Sequence, residues 1–343
     1  MRLTRWLAPA VMVTMLAMLA MLGSPPALAR HREGPHAAHE LTTFAAAGCT
    51  GGCGSGSTVG PDGALYVTDG PSGRVLRIDR HTGATSTFAS GLPPQIPDVG
   101  IGGAMDVVFL HHRAYVLVTL VGSFFGQPDA TDGIYRVNRD GTTSPVADIG
   151  AWSIDHPPVP AFFIPSGVQY ALETWHGQFL VTDGHHNRVL RVSRHGDIHQ
   201  VVAFPDIVPT GLEVSRGTVY MSEAGPIPHD PANGKVVRFR ATHPRPRTIA
   251  AGAPLLVDVE SGPCHRLFAL SQGVWTLPVT DENEGKPASP DSGALLRVGR
   301  HGRLVPVSTG LDRPTSMEIV GRTAYVVTLT GKVLEIRHIA HRR

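Results

Sequence analysis

Between residues 57 and 92 apolar and polar positions alternate in short runs, each cut off by a turn. A first short strand reaches the turn Gly60-Pro61-Asp62-Gly63; a second, 64–68, leads to the turn 69–73. A third strand, 74–79, passes through the turn at His81 to Gly83 into a fourth, 84–89. The turn residues supply the fixed and positive φ angles that a chain reversal needs. The same grammar returns at 164–204, with strands at 167–170, 178–183, 188–193 and 197–203. Further copies fall at 104–149, 209–251 and 255–309, and their extra length lies between the second and third strands.

The third strands align without gaps. Arg74-Val75-Leu76-Arg77-Ile78, Arg188-Val189-Leu190-Arg191-Val192, Leu295-Leu296-Arg297-Val298 and Val333-Leu334-Glu335-Ile336 are joined by 134–137 and 236–239. Six third strands predict six blades. The last unit, from Pro314, ends after three strands, and 40–48 reads like the fourth strands at 86–91 and 248–252. The predicted fold is therefore an all-β, six-bladed propeller of four-stranded antiparallel blades, with an N-terminal strand closing the last blade and removing its open edge.

Composition agrees: Gly at 39 and Pro at 29, with 6% aromatics, suit many short strands rather than long helices. A net charge of +2, with Lys and Arg read as scattered, gives no case for nucleic acid or stable membrane insertion. Arg2 and Arg5, the apolar run 6–23 and the Ala27-Leu28-Ala29 site predict a signal peptide over 1–29, cleaved near Ala29. The expected product is secreted or periplasmic: a lead-in at 30–39, a propeller at 40–339 and a tail at 340–343, acting as a monomer. In that oxidising setting Cys49 and Cys53 are expected to pair, leaving Cys264 spare.

The phrases Val59-Gly60-Pro61-Asp62-Gly63-Ala64-Leu65-Tyr66-Val67, Val208-Pro209-Thr210-Gly211-Leu212 and Gly293-Ala294-Leu295-Leu296-Arg297-Val298, with the leader, resemble the ScyD/ScyE family over nearly the whole mature chain. The resemblance implies an exported propeller of the NHL-like type and says more about location than chemistry. Blades two and five depart from the pattern, with His111-His112-Arg113 and Cys264-His265-Arg266 in place of a Pro-Asp-Gly turn.

Ligands of propellers gather where the inner strands begin, over the axis. Aligning inner strands places Gly56, Asp106, Gly167, Gly211, Asp258 and Ser316 at one level. Asp106 and Asp258 then lie on opposite blades, either facing the central mouth or capping neighbouring N–H groups. Two residues on, the set is Thr58, Val108, Gln169, Glu213, Glu260 and Glu318; the three glutamates offer hard oxygens to a cation such as calcium, although no cofactor is required. Asp69, Asp183, His185, His186 and Glu223 join Asp106 and Asp258 on the expected ligand-binding face, and the stretch 272–291 is expected as its lid.

The leading functional reading is a noncatalytic exported binding or scaffold propeller for a small molecule, glycan or protein. The alternative is a metal-dependent hydrolase or lactonase resembling regucalcin and gluconolactonase. That family commonly has Asn before the Gly that opens an inner strand, where this chain has Ser166-Gly167, Thr210-Gly211 and Thr315-Ser316. A lyase resembling the virginiamycin-inactivating propellers ranks third. No catalytic residue is singled out by the sequence.

Overall fold

The computed structural model describes residues 35–44 and 52–340. The expected signal peptide, its cleavage site and Cys49 lie outside the described residues. Cys53 is buried, whereas Cys264 is exposed and free. Six four-stranded antiparallel sheets form, five of them in chain order and the sixth closed by the N-terminal strand, as the repeat predicts. In blade six, Pro314–Val320, Thr323–Thr328 and Lys332–Arg337 are completed by Ala38–Thr43, which pairs antiparallel with Lys332–Arg337. This closing strand begins two residues before the expected boundary, and the His36 N–H donates to the Val307 carbonyl at 2.7 Å, so the end of the lead-in is tied to blade five.

Burial explains the strand patterns. A second strand is sandwiched between two neighbouring blades, so Leu65–Asp69 is buried at every position and apolar runs replace strict alternation. The outermost strand Thr85–Ala89 is exposed at its first three residues. Hydroxyls on the second strands then hold the inner strand of the same blade, and some reach the next blade as well, as Thr182 Oγ1 does in donating to the Thr210 carbonyl at 2.7 Å. Thr68 Oγ1 accepts from the Gly56 N–H at 2.9 Å, Thr182 Oγ1 accepts from Ala171 at 2.9 Å, and Ser222 Oγ accepts from Gly211 at 3.0 Å. Those three equivalent bonds set the levels of the inner strands around the ring.

They also correct the alignment of blade three. Ala171, and not Gly167, stands level with Gly56 and Gly211. A short helix, Ile149–Asp155, capped by Asp148 and absent from the strand-only expectation, separates blades two and three, and its inner strand starts at Gln169. Gly167 precedes that strand in a left-handed turn at φ 77°, which is why a Ser-Gly pair imitates the Thr-Gly entry of blade four.

Candidate functional site

Two chambers lie along the propeller axis. The lower one, about 40 Å³, is lined by Asp106, Glu173, Asp258, Glu260 and Glu318 among others. With the register corrected, Glu173 takes the place assigned to Gln169, so blades three to six each contribute one glutamate: Glu173, Glu213, Glu260 and Glu318. Gln169 is buried instead between blades, accepting from Thr119 Oγ1 at 2.9 Å and donating to the Ser166 carbonyl at 2.9 Å.

Asp106 and Asp258 are both on the axis and both blade ties. Asp106 accepts from Val107 N at 2.8 Å and from Leu172 N of the next blade at 2.7 Å. Asp258 repeats this with Val259 N at 2.8 Å and Met317 N at 2.7 Å. Each carboxylate reaches toward a blade that lacks a side chain at its level on the other flank: a Cβ on Gly56 or Gly211 would collide with Asp106 or Asp258.

Burial raises all six carboxyls of this region. It pushes Glu173 up to about 8, helped by repulsion from Glu213, and Asp258 up to about 7 against the bonds from Met317 and Val259. Asp106, Glu260 and Glu318 are driven well above the usual range, also by burial first and by neighbouring carboxylates after it, and Glu213 is raised. Carboxylate oxygens suit calcium in kind. Their placement does not assemble a site, since among the described residues no group of three or more His, Cys, Asp or Glu is positioned to hold a metal ion.

Tyr170 separates this chamber from the second. Its side chain crosses the axis and its hydroxyl donates to the Thr315 carbonyl of the opposite blade at 3.2 Å. Tyr170 lines the upper cavity, while Ala171, Leu172 and Glu173 line the lower.

The upper cavity, about 100 Å³, opens at the face where inner strands begin. Its wall is largely apolar, with Ile101, Val168, Val208, Ile227, Leu255 and Val257, and its polar groups are few: His185, His229, Glu284, Lys286, Gln272 and Thr210. Gln272, Glu284, Gly285 and Lys286 of the long blade-five loop, expected as a lid, line the cavity. A latch ties this loop to blade three, with His185 Nδ1 3.1 Å from Glu284 Oε1 and the His185 ring stacked on Phe162.

His229 belongs to the insert loop of blade four, whose polar residues Glu223, His229 and Asp230 the sequence places on this face without singling His229 out. It is buried, and its Nδ1 lies 2.7 Å from the Gly225 carbonyl and 3.3 Å from that of Ala224. Carbonyls only accept, so Nδ1 carries the proton and Nε2 is left as an acceptor. Burial lowers its pKa, keeping the ring neutral, and Trp275 packs edge-on against it at 5.8 Å. A His directly after Pro226-Ile227-Pro228 has no distinguishing spacing among 18 histidines.

The remaining face residues are committed to structure. Asp69 pairs with Arg74 at 2.7 Å. Asp183 accepts from Arg188 Nε at 2.9 Å, and Arg188 also donates to Ser153 Oγ, the His156 carbonyl and His186 Nδ1. That makes His186 an acceptor at Nδ1 and a donor through Nε2 to the Ile164 carbonyl at 3.1 Å. Glu223 is buried with its carboxyl raised to about 7 by desolvation, and it does not line the upper cavity. Of the expected ligand face, His185 alone lines that cavity; Asp106 and Asp258 line the lower chamber.

No family model matches the chain, and no curated protein is detectably similar to it in sequence. Solved structures do share its fold. A gluconolactonase from Xanthomonas campestris superposes with a TM-score of 0.59 at 11% identity, covering 88% of this chain and 89% of that one. Regucalcin from Agrobacterium tumefaciens, a calcium-binding protein, gives 0.56 at 11%, covering 88% and 94%. Virginiamycin B lyase from Staphylococcus aureus gives 0.53 at 14%, covering 88% and 99%. At these identities the likeness establishes the six-bladed propeller and nothing finer. Among the described residues no helix is long and apolar enough to cross a membrane.

Proposed function

We propose that this chain is an exported, ScyD/ScyE-like binding propeller that holds a small, mainly apolar molecule in the lidded cavity above Tyr170. The observation that carries the reading is the cavity itself: an apolar wall, a neutral His229 with Nε2 as acceptor, and a lid latched by His185 and Glu284. Apolar lining with a few convergent polar groups is the usual makeup of a small-molecule site. The volume of about 100 Å³ suits a small ring, and the His185–Glu284 contact stands at its wall. Phenol, an apolar ring with one donor for His229, is expected to quench Trp275 fluorescence saturably. Replacement Ile227→Phe, which fills the cavity without adding an indole, is expected to abolish that quenching. Quenching that is absent, or unchanged in the filled variant, sinks the reading.

The second reading is a metal-dependent hydrolase, favoured by the glutamates at one level of four adjacent blades, of which Glu173, Glu260 and Glu318 line the lower chamber. It requires those side chains to converge on a cation beyond their present placement. At pH 8, where more of these carboxyls ionise, calcium added after chelator treatment would then raise the melting temperature, and Glu260→Gln with Glu318→Gln would remove the rise, because a ligand selective for the folded state stabilises it by mass action. No calcium-dependent shift in the parent protein rejects this reading and leaves the binding propeller.

A further inference from the structure

On the lower outer edge of blade four, opposite the lidded face, Arg238, Arg240, His243, Arg245 and Arg247 surround a concavity of about 410 Å³. Phe239 is buried beneath them, and all five basic side chains are exposed. The hairpin that carries them is held by the His243 N–H on the Arg240 carbonyl at 3.2 Å, with Pro244 and Pro246 limiting its freedom.

Some arginines elsewhere in the protein are neutralised locally, Arg74 by Asp69, Arg77 by Asp62 and Arg188 by Asp183. Among the described residues, none of the four guanidiniums in this concavity has an acidic partner or a side-chain hydrogen bond. Arg238 even stands directly opposite Arg247 in the strand register, a like-charge pairing that costs stability. The chain as a whole carries only +2, so this concentration is local. Lys and Arg look scattered over the full length, yet 238–247 holds four arginines, and folding brings no acid to them.

We propose that this concavity binds a soluble oxyanion ester, a small molecule bearing phosphate or sulfate groups. The guanidinium presents paired N–H donors that match such oxygens two at a time, and several unneutralised forks around one hollow suit a multiply charged anion. The hollow is also within the size range of small-molecule sites. The site is separate from the lidded cavity and stands or falls independently of it.

Calorimetric titration of the folded chain with inorganic pyrophosphate at low salt tests the site. Saturable binding is expected, weakened at least about tenfold in Arg238→Gln/Arg247→Gln and by an intermediate factor in Arg238→Lys/Arg247→Lys, which keeps the charge but loses the fork. Because these residues are exposed and their pairing is repulsive, a melting temperature no lower than that of the parent verifies that each variant is folded. Absence of saturable heat, or equal affinity in the Gln variant, overturns the proposal. So does binding to vesicles of phosphatidylglycerol without binding to pyrophosphate, which would make the patch a contact for a charged surface.

Discussion

The melting temperature is expected to fall as the pH rises from 5 to 8, and Glu173→Gln is expected to flatten that fall and to stabilise the protein at pH 8. The lower chamber collects Asp106, Glu173, Asp258, Glu260 and Glu318 with no Lys or Arg among its lining residues. Each binds its proton more tightly folded than unfolded, since burial penalises the ionised form. Their contribution is thus complete below the unfolded carboxyl range near pH 4 and is lost as the pH climbs through the folded values, about 7 for Asp258 and about 8 for Glu173.

For Glu173 alone the loss between pH 5 and 8 is on the order of 3 kcal/mol, or roughly 6 °C for a chain of this size. The groups repel one another, so their losses do not simply add. Carboxyls held low on the surface, such as Asp62, Asp79 and Asp140, change charge below this window and leave its slope alone. Gln keeps an acceptor for the Thr174 N–H, bonded at 2.7 Å, while removing the charge. A melting temperature that is level from pH 5 to 8, followed by circular dichroism, would mean that the chamber is open enough to water for the carboxyls to ionise freely.

The second large effect is expected at Arg188. Its guanidinium is 3% exposed and joins Asp183, Ser153, the His156 carbonyl and His186, with the Trp152 ring 5.0 Å away. One side chain thus ties the inserted helix to the second and third strands of blade three. Arg188→Ala leaves the buried Asp183 carboxylate without its cation, which costs about 3–5 kcal/mol, so the melting temperature should drop by roughly 6–10 °C. Adding Asp183→Asn should recover part of that loss, because the stranded charge is its main source. A loss under about 1 kcal/mol in the single variant would show that water reaches Asp183 and that the network is dispensable.

These two sites explain why residues that look functional in the sequence divide as they do. Asp183, His186 and Arg188 have the residue types of a catalytic cluster, yet each polar atom is spent on another strand or on the helix. His229 and Tyr170 look ordinary in sequence, and they form the wall and floor of the cavity. A hydrogen bond to a carbonyl four residues away decides the tautomer of His229, and a bond across 145 residues decides the pose of Tyr170. Neither leaves a spacing to find.

Blade number, strand order and the closing strand were legible from the sequence because each is a short pattern, turn residues and an apolar run, written six times with one deficit at the end. The acidic character of the axis was legible in part, through Glu213, Glu260 and Glu318. The fourth glutamate was not. The helix Ile149–Asp155 and the proline-rich stretch after it break the repeat, so the level of Gln169 and Glu173 depends on hydroxyl bonds from the neighbouring strand and blade. Only the closed ring determines which side chains meet across the axis, whether a carboxylate is spent on a backbone N–H, and that four arginines of one hairpin surround a hollow with no acid in reach. Those outcomes depend on contacts between distant blades and on what burial removes from water, and alternation along a strand encodes neither.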